Sequence, residues 1–353
     1  MNSTRKTFLM CGNDVIGEAA IQAGCRFYAG YPITPQNELP AYMAKRLPEE
    51  HGIFIQAESE LAAINMVMGA SMAGARAMTS SSSPGISLKQ EAISYMAADE
   101  LPGVIVNVMR GGPGLGNIAP AQSDYFQAVK GGGHGDYNLI VLAPAYLQEL
   151  ADLTGLAFDL SDKYRNPVML LADGIIGQMM EPVEINSSSA GLPARDWVLT
   201  GASGRKSRFI RSLLLEDGQL EAHNVKLQEK FKEIKEHEVR FAETAVSDAE
   251  ILVLAYGTCA RIARAAVLAA REEGCRAGLL RPVALWPFPE EKLGELSRRV
   301  KGMLVVEMSA GQMVEDVRLA AGGACPVHLY GRPGGGVPSV QDIYDRIKNL
   351  CGA

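Results

Sequence analysis

Glu60 opens a small-residue helical pattern, SELAAINMVMGASMAGA, directly after the short apolar run IFIQA. Burial at such a place raises a carboxyl pKa and a helix N-terminus lowers it, a balance that suits a group sharing a proton with a ring nitrogen. On these residues alone, Glu58 and Glu60 serve equally as complements to a helix dipole. Thr34, in the loop GYPITP from Gly30 to Pro35, offers a hydroxyl and a backbone amide suited to holding a carboxylate. It fits as well as a plain N-cap with Pro35 at the first helical position. Arg110 ends the run VIVNVM and precedes GGPGLGN; a fixed guanidinium there suits a carboxylate, and a surface ion pair is the other reading. TSSSSPG, from Thr79 to Gly85, is rich in hydroxyls and free amides that can bind a polar ligand, and equally makes an ordinary solvated turn. GGGHGD, from Gly131 to Asp136, adds His134 in a turn near the same mouth, with a structural role favoured over proton transfer.

These residues share a mouth only if each follows a strand of one parallel sheet, because ligands bind outside the carboxyl ends of such strands. The spacing predicts that arrangement. Candidate strands are Arg26 to Gly30, Ile53 to Gln56, Ala77 to Ser80, Val104 to Met109, Leu139 to Leu142 and Val168 to Leu171. They alternate with helical patterns over Gly12 to Ala23, Pro35 to Leu47, Glu58 to Ala73, Gly85 to Asp99, Ala119 to Val129 and Ala145 to Lys163. One doubly wound α/β domain accounts for residues 1–186.

Asn186 to Ser189 then open a linker, Leu192 to Gly204 has no clear period, and Leu220 to Val246 reads as a charged connecting helix, giving a linker over 187–247. Residues 248–353 form a smaller α/β unit: ILVLAYG as a strand, CARIARAAVLAAREEG as its helix, AGLLRPVALWPF as the next strand and turn, then MLVVEMS, a helix over Gly311 to Ala320, and VHLYGRP.

Composition narrows the rest. A formal charge of -6 with scattered lysine and arginine offers no basic stripe for nucleic acid. The longest apolar runs fall far short of the roughly 20 residues that span a bilayer, and the N-terminus lacks a secretory pattern, so a cytoplasmic protein with no membrane partner is expected. Cysteines at 11, 25, 259, 275, 325 and 351 include no C-x-x-C pair. No zinc or ferredoxin-type cluster is expected, and the thiols read as small buried side chains in a reducing compartment.

Taken together, GYPITPQNE, QAESELAAINMVMGA, TSSSSPGISLKQE, LPGVIVNVMRGGPGLGN, KGGGHGD, DGIIGQMMEP (Asp173 to Pro182), LLRPVALWPFPEEKL and VVEMSAGQM resemble the alpha subunit of 2-oxoacid:ferredoxin oxidoreductases, most of all the branched-chain (3-methyl-2-oxobutanoate) type. The resemblance covers nearly the whole chain. It implies a thiamine-diphosphate-binding pyrimidine domain followed by a transketolase C-terminal-like domain. It implies that Glu60 contacts N1' of the cofactor's aminopyrimidine, that Thr34 and Arg110 contact the 2-oxoacid, and that Tyr31 and Pro32 line the cofactor pocket. Ser82, Asn117 and His134 are assigned to supporting positions around these residues.

The implied reaction, placed in anaerobic metabolism, is oxidative decarboxylation of branched-chain 2-oxoacids with coenzyme A, yielding acyl-CoA, CO2 and reduced ferredoxin. The same chemistry on 2-oxoglutarate or an aryl 2-oxoacid is the alternative within the class, and a non-catalytic assembly subunit the alternative outside it. The G-D-G motif and following asparagine that anchor diphosphate and Mg²⁺ in thiamine enzymes are missing; the near match, Ala172-Asp173-Gly174, falls in another segment. The expectation is therefore a half-site, inactive alone. A beta subunit would bring the pyrophosphate domain with Mg²⁺, gamma and ferredoxin-like delta subunits would complete the complex, and partner chains would carry the iron-sulfur clusters that pass electrons to ferredoxin.

Overall fold

The computed structural model describes residues 7–185 and 195–352. In chain order the first unit runs β1 (Thr7–Cys11), α1 (Gly12–Gln22), β2 (Phe27–Gly30), α2 (Glu38–Glu49), β3 (Ile53–Gln56), α3 (Glu60–Met72), β4 (Ala77–Ser81), α4 (Ser83–Ala98), β5 (Gly103–Met109), α5 (Tyr125–Val129), β6 (Ile140–Leu142), α6 (Leu147–Tyr164), β7 (Pro167–Asp173), α7 (Gly174–Gln178) and β8 (Met180–Glu184). The second comprises α8 (Gln219–His237), β9 (Phe241–Thr244), β10 (Ile251–Leu254), α9 (Gly257–Glu272), β11 (Ala277–Pro282), β12 (Ala284–Trp286), α10 (Glu290–Ser297), β13 (Gly302–Glu307), α11 (Met313–Ala321), β14 (Val327–Gly331) and α12 (Val340–Gly352).

The larger sheet has the order β12-β6-β7-β5-β4-β2-β3, parallel throughout except where β12 pairs antiparallel with β6. Its central strands β5 and β7 are buried along their whole length, as strands covered by helices on both faces must be. From β2 the chain crosses outward to β3, then returns past β2 to β4. The loops after β2 and β4 thus leave in opposite directions, and a crevice opens between them. The smaller sheet has the order β14-β13-β10-β11-β9, parallel apart from β9.

Several sequence expectations shift. AGLLRPVALWPF divides between the sheets, Ala277–Pro282 in the smaller and Ala284–Trp286 on the edge of the larger, with Arg240 O accepting from Val283 N and Ala284 N (2.9 and 3.0 Å) where the chain crosses. Phe241–Thr244, expected to end the charged helix, is an edge strand of the smaller sheet. Thr7–Cys11 and Met180–Glu184, not foreseen as strands, pair antiparallel beside the main sheet. Of the helix expected over Ala119 to Val129, only Tyr125–Val129 forms, because the preceding residues carry other bonds: Gly111 N donates to Ala119 O, and Gln122 N to Met308 O. The linker residues Asn186 to Ser189, and with them the expected boundary at 186, lie outside the described residues.

Asp173 explains the false G-D-G match. At the end of β7 its carboxylate accepts from Ile175 N and Ile176 N (both 3.2 Å), capping α7, and from Thr258 N (2.9 Å) and Thr258 Oγ1 (2.6 Å), capping α9 of the second unit. Burial raises its carboxyl pKa while these donors oppose the rise. It is a joint between the units. Gln122 reinforces it, donating to Tyr256 O (2.9 Å) and accepting from Met308 N (3.1 Å), and Tyr125 Oη donates to Asp316 (2.6 Å). Cys275 and Cys351 are joined in a disulfide with a Cα–Cα distance of 6.0 Å, which corrects the expectation that every cysteine is a free thiol; Cys11, Cys25, Cys259 and Cys325 remain free.

Candidate active site at the sheet edge

The first turn of α4 gathers the site. β4 delivers Ser81 and Ser82 to the carboxyl edge, and α4 starts at Ser83 with Ser82 as its N-cap residue. Ser83 Oγ accepts from Arg110 N (3.1 Å) and donates to Asp124 Oδ2 (2.6 Å), while Ser83 N donates to Asn107 Oδ1 (3.2 Å). Asn107, the one polar residue within β5, also donates to Asp124 Oδ2 (2.9 Å). Burial pushes the Asp124 carboxyl pKa up, and these two donors counter the rise.

Arg110 is buried, and its guanidinium donates to two carbonyls, Thr34 O and Leu115 O (both 3.0 Å). Its Nε is buried without a partner, an expensive condition for a cation and one that an incoming acceptor relieves. The structure thus brings Thr34 and Arg110 together, through the threonine carbonyl. The Thr34 hydroxyl accepts from Asn37 Nδ2 (3.3 Å). Thr34 is not an N-cap: α2 begins at Glu38, because Gln36 turns inward, where Ser80 Oγ donates to its Oε1 and its Nε2 donates to Tyr31 O (3.4 Å). Tyr31 and Pro32 stand exposed at the rim.

Glu60 is the first residue of α3, with Ser59 Oγ capping Ala62 N (3.2 Å), and it is 6% exposed. Its carboxylate packs on the backbone of Gly85. A Cβ on that glycine would stand 2.5 Å from Glu60 Oε1 and 2.0 Å from Ser81 Oγ, so carboxylate and hydroxyl converge where only glycine fits. Among the described residues no hydrogen bond reaches the Glu60 carboxylate, and the hydroxyls of Thr79, Ser81 and Ser82 are buried without partners. Unsatisfied buried polar atoms are not left without cost, and a polar ring docked against Glu60 and the adjoining Ser81 hydroxyl would relieve part of it.

The remaining residues separate. Asn117 holds the glycine-rich loop to the second unit, donating to Gly334 O (3.0 Å) and accepting from Ala119 N (2.9 Å). His134 does not reach the mouth: it lies against Ser94 (3.4 Å) and edge-on to Tyr95 at 6.0 Å, well down α4. At 1.5 Å per residue that is roughly 16 Å below the first turn. The Gly131–Gly133 turn is drawn there by Gln90 and Tyr137, the latter accepting from Gly133 N (2.9 Å). The sequence reading missed Asp124, Asn107 and Lys89. A lone asparagine inside an apolar strand and a lysine inside the small-residue helix ISLKQEAIS were the available signals. Among the described residues no group of three or more His, Cys, Asp or Glu side chains is placed to hold a metal ion, and no helix is long and apolar enough to cross a membrane.

Residues 18–241 match the family described as pyruvate flavodoxin/ferredoxin oxidoreductase, thiamine diphosphate-binding, and residues 249–343 match pyruvate:ferredoxin oxidoreductase core domain II. The chain is 49% identical over 98% of its length, and 98% of the relative's, to ketoisovalerate oxidoreductase subunit VorB of Methanothermobacter thermautotrophicus. It is 38% identical over 97% of its length, and 98% of the relative's, to the 2-oxoglutarate synthase subunit KorA of the same organism. Among solved structures, a 2-oxoglutarate:ferredoxin oxidoreductase from Magnetococcus marinus, with 2-oxoglutarate, coenzyme A and succinyl-CoA bound, superposes with a TM-score of 0.87 at 26% identity, covering 98% of this chain and 66% of that one. A split-gene transketolase shares the fold, with a TM-score of 0.59 at 15% identity over 97% of this chain and 98% of that one.

Proposed function

The chain belongs to the pyruvate flavodoxin/ferredoxin oxidoreductase family as a 2-oxoacid oxidoreductase subunit, and from that premise we propose that it supplies the pyrimidine side of a thiamine-diphosphate site acting on branched-chain 2-oxoacids. The observation that carries this reading is the buried Glu60 carboxylate, bare of hydrogen bonds among the described residues, seated on Gly85 beside the unpartnered hydroxyl of Ser81. These residues fit an aminopyrimidine: a carboxylate for the ring nitrogen, a side-chain-free floor, and the Ser81 hydroxyl for a polar edge.

Thiamine diphosphate, when bound, supplies the carbon nucleophile and the electron sink for decarboxylation. The chain's own residues position and polarise. Glu60 holds the proton at N1'. The Arg110 guanidinium, its Nε unpartnered and its fork on two carbonyls, takes the 2-oxoacid carboxylate, with Thr34 fixed beside it, and Tyr31 and Pro32 form the rim. The described residues offer no acidic cluster for Mg²⁺ and the chain has no C-x-x-C pair. The proposal therefore assigns diphosphate, Mg²⁺ and the iron-sulfur clusters to partner subunits: a beta subunit with the pyrophosphate domain, and gamma and ferredoxin-like delta subunits. Coenzyme A is the acyl acceptor and ferredoxin the electron acceptor, in the cytoplasm.

The branched-chain assignment follows the 49% identity to the ketoisovalerate subunit, against 38% to the 2-oxoglutarate subunit. A non-catalytic assembly role is disfavoured by the joint presence of Glu60, Thr34 and Arg110. The test is dye-linked turnover of the purified complex across 3-methyl-2-oxobutanoate, 2-oxoglutarate and aryl 2-oxoacids. Highest kcat/KM with 3-methyl-2-oxobutanoate is expected; equal or greater activity with 2-oxoglutarate defeats the substrate assignment.

A further inference from the structure

Lys89 is wholly buried, alone among the lysines of the described residues. It lies one helical turn beyond Gly85 on the same face of α4, roughly 6 Å deeper along the axis than the glycine that carries the Glu60 carboxylate. Its ammonium donates to the backbone carbonyl of Glu60 (3.2 Å), and no other hydrogen-bond partner for it occurs among the described residues. A lone neutral acceptor is poor compensation for a buried cation. Burial pulls its pKa down to about 8, and the Glu60 charge opposes that fall.

The other charged groups nearby are engaged elsewhere. Glu91, next but one on α4, accepts from the exposed Tyr95 hydroxyl (2.6 Å), and Glu58, ahead of α3, is exposed. Asp124 is taken by Ser83 and Asn107, His134 rests on Ser94, and the Arg110 guanidinium is turned to the Thr34 and Leu115 carbonyls. Glu60 is the charged partner that acts on Lys89. A methionine or leucine would fill this apolar position at lower cost, so a retained charge beside a candidate proton-sharing group points to function.

We propose that Lys89 is a positioning residue for Glu60: its ammonium, held on the Glu60 backbone carbonyl, favours the Glu60 anion and so moves the shared proton toward the bound ring nitrogen. This rests on the reading of Glu60 given above. With the cation present, the pair formed by Glu60 and the ring gives up its proton at lower pH. Without it, the pair holds that proton to higher pH.

The experiment compares wild-type complex, with all partner subunits, against complexes carrying Lys89→Met, Lys89→Gln and Lys89→Arg. Protons taken up on binding thiamine diphosphate are measured by calorimetry in buffers of different ionisation enthalpy, and kcat is followed across pH. In Lys89→Met and Lys89→Gln, proton uptake and the acid limb of kcat move upward by about one pH unit, while Lys89→Arg keeps the wild-type profile. Unchanged proton uptake and an unchanged acid limb in either neutral variant overturn the proposal, as does failure of both to assemble. A wild-type complex that binds no thiamine diphosphate instead overturns the parent reading of the site.

Discussion

Gly85→Ala tests whether the placement of Glu60 matters or merely its presence. The added methyl would stand 2.5 Å from Glu60 Oε1, 2.9 Å from Glu60 Cγ and 2.0 Å from Ser81 Oγ, where ordinary contact begins near 3.4 Å. Relief requires the carboxylate to retreat by about 0.9 Å, and Ser81, anchored in β4, yields less readily. Overpacking of this kind costs about 1–3 kcal/mol of stability. A displacement of about 1 Å at a proton-sharing group costs on the order of 10²-fold in rate. The assay is dye-linked 2-oxoacid oxidation by the assembled complex, beside thermal unfolding of the same preparation. A folded, assembled Gly85→Ala complex with kcat within a few-fold of wild type would refute the argument that this glycine fixes the carboxylate.

Glu60→Gln should lower kcat by about 10²-fold or more with subunit assembly intact by size-exclusion chromatography, and undiminished turnover would remove the carboxylate from the mechanism. Arg110→Lys replaces a fork by a point charge and should raise KM for the 2-oxoacid about 10- to 100-fold with little change in the circular dichroism of the fold; an unchanged KM places the substrate carboxylate elsewhere. Lys89 also sets a pH dependence of stability. Its folded pKa of about 8 lies below the ordinary lysine value of 10.5, so between the two the unfolded chain binds more protons and stability rises with pH. Lys89→Met should lack that rise and be more stable at neutral pH, by up to about 3 kcal/mol, in denaturant titrations; a parallel pH profile would show that Lys89 is not buried as a cation.

The main sheet was legible because its strands are short apolar runs and its helices have the helical period. The predicted strand Ile53 to Gln56 coincides with β3, and the helix expected from Gly12 ends one residue early. What escaped was settled by distant partners. Thr7–Cys11 is a strand because Met180–Glu184 pairs with it, and Ala284–Trp286 leaves its own unit to close the edge at β6. Local pattern carries no trace of such pairings. The same holds within the site. Glu60 and Arg110 could be suspected from position after a strand, since that rule is local. His134 was expected near the same mouth in a supporting role, yet Gln90 and Tyr137 hold that turn well down α4. Gly85 and Lys89 carried meaning only once α3 was seen against the first turns of α4, which brings residues 60, 85 and 89 together.

The central claim, that this chain holds the proton-sharing carboxylate and the substrate clamp while a partner anchors the diphosphate, is most directly tested by titrating thiamine diphosphate with Mg²⁺ into the isolated chain and into the assembled complex by calorimetry. Saturable tight binding to the complex alone is the predicted result. Equally tight binding by the isolated chain would contradict it.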